Sequence, residues 1–177
     1  MTMTNTAYTS TNMSFDNTYN RSSTRSDDVK AIKVSALRYL ARREYSRVEL
    51  YRKLSQKFSA VDAIQAVLDE LKEQGYQSDT RFTESFIRAK ANAGNGPFKI
   101  KIELREKGIC ESTALAAFDR QSIDWLVLAE TVKQKRFGTE LTDALPLSEL
   151  AKQVRYLKNK GFYQEHIDQV INTKQSF

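Results

Sequence analysis

LREKGI at Leu104–Ile109 and LKNKGF at Leu157–Phe162 decide how this chain folds. In each, a glycine stands four residues after a leucine, and an apolar residue follows it. Glycine enters the left-handed region without a Cβ clash. The pattern therefore predicts helices that stop at Gly108 and Gly161 in Schellman endings, with Leu104 and Leu157 touching Ile109 and Phe162 across the turn. LKEQGY carries the same ending at Gly75, pairing Leu71 with Tyr76. A related core, LSQK at Leu54–Lys57, aligns with LREK and LKNK at spacings of 50 and 53 residues. After the cores come Phe58, Ile109 and Phe162, then helical stretches with apolar pairs three apart: Ile64 and Val67, Leu115 and Phe118, Ile167 and Val170. The chain reads as a threefold helical repeat.

Helix starts are legible as well. Ser46 with Glu49 forms a capping box, and Ser59 with Asp62 a weaker one. Pro97 and Pro146 suit first-turn positions, where a missing N–H costs nothing. These signals predict helices at 29–43, 47–57, 60–74, 79–93, 97–107, 111–120, 123–137, 146–160 and 164–174. None can bury its apolar stripe alone. The expected fold is all-α, with three tandem three-helix modules forming an elongated, curved helical-repeat rod. The expected divisions are a disordered polar tail at 1–28, then modules at 29–77, 78–121 and 122–177. The longest internal connection is GTELTDAL at 138–145, and GNGP at Gly94–Pro97 is the tightest turn.

Composition agrees with this and excludes much else. Only 6 glycines and 2 prolines occur in 177 residues, which disfavours sandwiches and barrels. One cysteine (Cys110) and one histidine (His166) cannot make an internal disulfide or a Cys/His zinc site. The longest dense apolar stretch, IDWLVLA at Ile123–Ala129, is too short to cross a bilayer. Sixteen of residues 1–28 are Thr, Ser or Asn, with no apolar core of a secretory signal. A soluble, cytoplasmic monomer without cofactor or metal is expected. The net charge is +6, and residues 29–77 hold ten Lys/Arg against six acids. Such an excess suggests a polyanionic partner.

Catalytic candidates are few. Cys110 and His166 could in principle make a nucleophile dyad, but a buried core thiol and a lone exposed or capping histidine are the plainer readings. Asp27–Asp28 and Asp69–Glu70 read as solvated charge. Gly94–Gly96 lacks the Lys-Ser/Thr and preceding strand of a phosphate loop. No catalytic residues are assigned.

Cations interleaved with aromatics give the stronger signal. Arg38 and Arg42 are four apart beside a core stripe of Ile32, Ala36 and Leu40, with Lys30 and Lys33 earlier and Arg43 adjoining. Arg47, Arg52, Lys53 and Lys57 follow around Leu50 and Leu54. In the second module Arg81, Arg88 and Lys90, then Lys99, Lys101, Arg105 and Lys107, surround the GNGP turn. Phosphates or acidic protein surfaces would answer these cations. Phe82, Phe86, Ala89 and Ala93 read as a core stripe, as does Trp125. Tyr39, Tyr45 and Tyr51 lie near the basic positions.

The stretch from Gly75 to Ile109 resembles the central signature of the RecX family, bacterial regulators of the RecA recombinase. Gly75, Tyr76, Asp79, Arg81, Phe82, Phe86, Gly94, Gly96, Pro97, Ile100, Glu103, Leu104, Lys107, Gly108 and Ile109 stand where that pattern has them. Ala36, Leu40, Ser46, Glu49, Leu50 and Leu54 match the first module's framework, and IDWLVLA with RYLKNKGF around Gly161 extends the similarity to roughly residues 30–172. Ser78 stands where an acid is usual, and Ala93 where a base is common. The resemblance implies a modular rod that lies in the groove of the RecA filament on single-stranded DNA, with double-stranded DNA a further partner. It implies inhibition of the ATPase, coprotease and strand-exchange activities of RecA through blocked filament growth and promoted disassembly, and so regulation of recombination and the SOS response. Two other classes stay open at this point: a general helical DNA-binding protein or transcription regulator, and a small hydrolase using Cys110 and His166.

Overall fold

Gly108 and Gly161 end their helices with φ of 77° and 87°, a region that a Cβ would strain. Gly108 N–H donates to Arg105 O at 3.0 Å and Ile109 N–H to Leu104 O at 3.1 Å. Gly161 N–H donates to Lys158 O at 2.9 Å and Phe162 N–H to Leu157 O at 3.2 Å. Both endings are Schellman motifs, and Ile109 and Phe162 are buried against their leucines' cores. The ending at Gly75 differs. Gln77 N–H, and not Tyr76 N–H, donates to Leu71 O, and Tyr76 is 55% exposed. The cause is the Gln77 side chain, which turns inward to donate to Tyr45 O and Asp79 Oδ1 at 3.2 and 2.8 Å.

The computed structural model describes residues 18–138 and 145–172, and these are helical throughout apart from the connections. In order the helices are α1 (Thr18–Leu40), α2 (Arg47–Ser55), α3 (Val61–Glu73), α4 (Asp79–Asn92), α5 (Pro97–Glu106), α6 (Glu111–Arg120), α7 (Trp125–Phe137), α8 (Leu147–Lys160) and α9 (Gln164–Asn172). α1 begins inside the stretch assigned to the tail, because TYNRSSTRSDD contains no glycine or proline to stop it. The rest of the tail and most of the 138–145 connection lie outside the described residues. Of the caps, Ser46 Oγ accepts from Glu49 N–H at 3.1 Å and Ser78 Oγ from Arg81 N–H at 3.3 Å. Ser59 caps nothing: Ala60 is the residue before α3, without a side-chain bond. Pro97 opens α5 as expected, whereas Pro146 stands one place before α8.

Helices pack in triplets, α1–α3, α4–α6 and α7–α9, each around its own core. The first core holds Ile32, Ala36, Leu50, Leu54, Ile64 and Leu71, all fully buried. The second holds Phe82, Ile87, Ile100 and Leu104, and the third Ala129, Leu157, Phe162 and Ile167. Burying each of the larger side chains is worth about 1.5–3 kcal/mol. Three expectations shift. On α4 the buried stripe runs through Phe82, Thr83, Ile87 and Ala91, leaving Ala89 and Ala93 exposed. Ile123 and Trp125, assigned to the third module, pack on the second core. Leu115 is 42% exposed. Among the described residues no helix is long and apolar enough to cross a membrane.

Candidate functional site

The modules meet through the ends of their second helices. Gly96 N–H, at the start of α5, donates to Lys160 O at 2.7 Å, and Phe98 N–H to Gly161 O at 3.0 Å, both at the end of α8. One unit earlier, Ser46 Oγ at the start of α2 donates to Lys107 O at 2.8 Å, at the end of α5. In both joints a helix amino end, with its partial positive charge, faces the negative carbonyl end of the next unit's helix. The glycines permit the approach: a Cβ on Gly108 would meet Val48 at 2.3 Å, and one on Gly161 would meet Lys99 Cβ at 2.3 Å.

Many signature residues belong to these joints. Arg47 N–H donates to Asp79 Oδ1 at 2.8 Å, which ties the first unit to the start of α4. Arg81 Nε donates to Glu44 at 2.8 Å. Lys107 Nζ lies 2.5 Å from Glu49, and Arg43 binds the other oxygen of that carboxylate at 3.2 Å. Burial works to raise the Glu49 pKa, but the hydrogen bonds from Lys107 and Arg43 outweigh it and hold the carboxyl below its ordinary range. Glu49 therefore does not reach back to the Ser46 N–H as a capping box would have it, because two cations claim it.

The expected cationic site divides accordingly. Arg43, Arg47, Arg81, Lys90 and Lys107 are ion-paired to Glu49, Asp69, Glu44, Glu103 and Glu49 respectively. Asp69 and Glu70 pair with Arg47 and Lys33 while staying largely in water, so they are solvated helix-face charge as expected. Arg38, Arg42, Arg52, Lys53, Lys57, Arg88, Lys99, Lys101 and Arg105 have no carboxylate within ion-pair distance among the described residues. Arg88 stands apart on α4 beside Val127 and Thr131, and Arg52 reaches Glu106 O at 3.4 Å; the other seven fall on two places. Lys53 and Lys57 hold their ammonium groups 5.4 and 5.1 Å from the Tyr39 ring centre, between Arg38 and Arg42 in sequence. Tyr39 in turn packs on Tyr45, which carries the Arg43 guanidinium at 3.6 Å. Cation–aromatic contacts of this kind order long side chains without neutralising them. The second place is α5, where Lys99, Lys101 and Arg105 lie beside Phe98 and Tyr163, with the Lys101 ammonium 5.7 Å from the Tyr163 ring centre. Sequence reading found these cations but could not sort free from paired, since the pairing carboxylates are remote in the chain, 58 residues for Lys107–Glu49.

Cys110 and His166 are not where they were expected. Cys110 is exposed at the start of α6, since Ile109 takes the buried position of that turn. Hydrogen bonds from Ser112, 3.4 Å away, and Thr113, 3.0 Å away, bring its thiol down to about 7. His166 is mostly buried, with Phe162 and Tyr163 beside it, and its Nε2 lies 3.8 Å from Glu165. No hydrogen bond joins it to Cys110, so the geometry assembles no dyad. Alkylation of Cys110 by iodoacetamide is expected to reach half its limiting rate near pH 7. Changing Ser112 and Thr113 to alanine should move that midpoint up; a native midpoint already near 9 would contradict the hydrogen-bonded thiolate.

Known proteins resemble this chain in sequence and in fold alike. The profile for the second three-helix domain of RecX matches residues 78–117, and that for its first three-helix domain matches residues 33–71. The regulatory protein RecX of Legionella pneumophila strain Corby is 39% identical over 142 residues, covering 80% of this chain and 93% of its own length. That of Pseudomonas entomophila strain L48 is 37% identical over 146 residues, covering 82% and 93%. The crystal structure of RecX from Lactobacillus salivarius superposes with a TM-score of 0.70 at 25% identity, over 84% of this chain and 97% of that one. A second crystal structure, of a regulatory protein RecX, gives a TM-score of 0.74 at 21% identity, over 92% and 80%.

Proposed function

The chain belongs to the RecX family of regulatory proteins, and from that premise we propose that it is a negative modulator of the RecA recombinase. It acts by binding, without chemistry of its own. It lies in the groove of the RecA filament on single-stranded DNA, blocks extension and favours disassembly, and thereby lowers the ATPase, coprotease and strand-exchange activities. Recombination and the SOS response are then regulated through filament lifetime in the cytoplasm.

The observation that supports this reading best is the pair of uncompensated cation patches on consecutive units, around Tyr39 and along α5. A cation without a carboxylate partner is available to a phosphate or to an acidic protein surface. Patches on separate units of one chain engage a polymer together, so modest contacts multiply through effective concentration. The joints fix the spacing of the patches, which a flexible chain would not.

A titration of the single-stranded-DNA-dependent ATPase of RecA with this protein tests the reading. ATP hydrolysis should fall at protein-to-RecA ratios well below one, and less steeply as salt rises. ATPase unchanged at equimolar protein in moderate salt would reject it.

A further inference from the structure

Between α5, α6 and the turn that opens α9 lies a groove of about 370 Å³. Ile102, Ile109 and Leu115 line it with aliphatic surface, and Phe98 and Tyr163 add aromatic edges. Lys101 and Arg105 stand on the lining with Glu111 as its acid. Phe98 is 52% exposed and Leu115 42%, so two large apolar side chains of adjacent helices open onto one recess half in water. Apolar surface gathered in a concavity and edged with charge marks a contact site.

The chemistry of the recess selects its occupant. Stacked nucleobases need free aromatic faces. Here Phe98 and Tyr163 meet edge to face, with centroids 6.0 Å apart and planes at 67°, and the Lys101 ammonium lies 5.7 Å from the Tyr163 ring centre. An aliphatic recess of this size takes one bulky hydrocarbon side chain, and the unpaired Lys101 and Arg105 beside it call for carboxylates next to that side chain. We propose that this groove docks a segment of the partner protein in which a leucine- or phenylalanine-sized anchor is flanked by acidic residues. The inference rests on the filament reading above and deepens it: this patch touches protein, while the cations around Tyr39 face the nucleic acid.

The test uses the full chain, ¹⁵N-labelled, titrated with a blocked synthetic peptide of leucine and phenylalanine flanked by aspartates, and separately with a thymidylate oligomer. The peptide should shift the amides of Ile102, Arg105, Leu115 and Tyr163 saturably. Leu115→Glu, at an exposed helical position, should weaken peptide binding about tenfold or more with unchanged circular dichroism. Lys101→Glu with Arg105→Glu should transfer the preference to a lysine-flanked peptide. Absence of shifts at millimolar peptide overturns the proposal, and so does a thymidylate oligomer that shifts the same amides and displaces the peptide. The ATPase titration separates the two levels. Wild-type inhibition that survives Leu115→Glu undiminished removes the groove from the contact and leaves the filament reading standing. A wild type that fails to inhibit removes the filament reading, while the peptide shifts still decide the groove.

Discussion

Replacing Gly96 by alanine is expected to part the second unit from the third while leaving each unit folded. An added Cβ would stand 2.4 Å from the carbonyl carbon and oxygen of Gly161 and from Phe162 N. All three are backbone atoms, so no rotamer change relieves the overlap and the helix ends must separate. Overpacking of this kind costs about 1–3 kcal/mol, and separation also removes the bonds from Gly96 N–H to Lys160 O and Phe98 N–H to Gly161 O, each worth about 1 kcal/mol net. The expected loss is thus about 3–5 kcal/mol of coupling between units. Hydrogen exchange reads it directly: the Phe98 amide should lose protection, whereas amides of the first core around Leu50 and Leu54 should keep theirs. Gly75→Ala is the control. No atom lies within 4 Å of its added Cβ, so only the cost of φ near 73° remains, about 1–2 kcal/mol and confined to the first unit. Equal protection of Phe98 in wild type and Gly96→Ala would show that the joint is not held as described.

Reversing Arg38, Arg42, Lys53 and Lys57 to glutamate together is expected to raise the concentration needed for half-inhibition of RecA ATPase about a hundredfold. The expected slope of log affinity against log salt falls by about three to four units, one per lost phosphate contact. None of the four is ion-paired within the described chain, so the helical circular dichroism should stay intact. The contrast is with Arg81 and Lys107. Reversing those sets them against Glu44 and Glu49 at the joint between the first two units, and the expected effect is lost stability. Full inhibition by the fourfold variant at moderate salt would place the nucleic acid elsewhere.

The limits of sequence reading follow from distance along the chain. Gly108 and Gly161 declared their helix endings because every atom of a Schellman turn lies within six residues. Tyr76 did not, since its neighbour Gln77 answers to Tyr45 O, 32 residues away. The cations were visible as residues but not as roles: Lys107 looks like a contact residue until Glu49 is placed beside it. Cys110 was expected inside because small thiols usually are, yet the turn gives the buried place to Ile109. The groove on α5 and α6 was missed for a related reason. Leu115 keeps helical spacing with Phe118, and periodicity alone could not tell that α9 leaves it uncovered.

The end-to-end seating of second helices is not repeated at the outer ends of α2 and α8 among the described residues. Gly108 and Gly161 accept an incoming helix, but the corresponding place after Lys57 is held by Phe58, whose N–H continues to Leu54 O at 2.9 Å and whose side chain packs on the first core. At the opposite extremity Pro146 precedes α8 and has no N–H to offer, where Gly96 offered one. Held this way, the array is pinned by two rivets, each a helix amino end lodged on a carbonyl end, and its pitch is set by glycines too small to keep the helices apart.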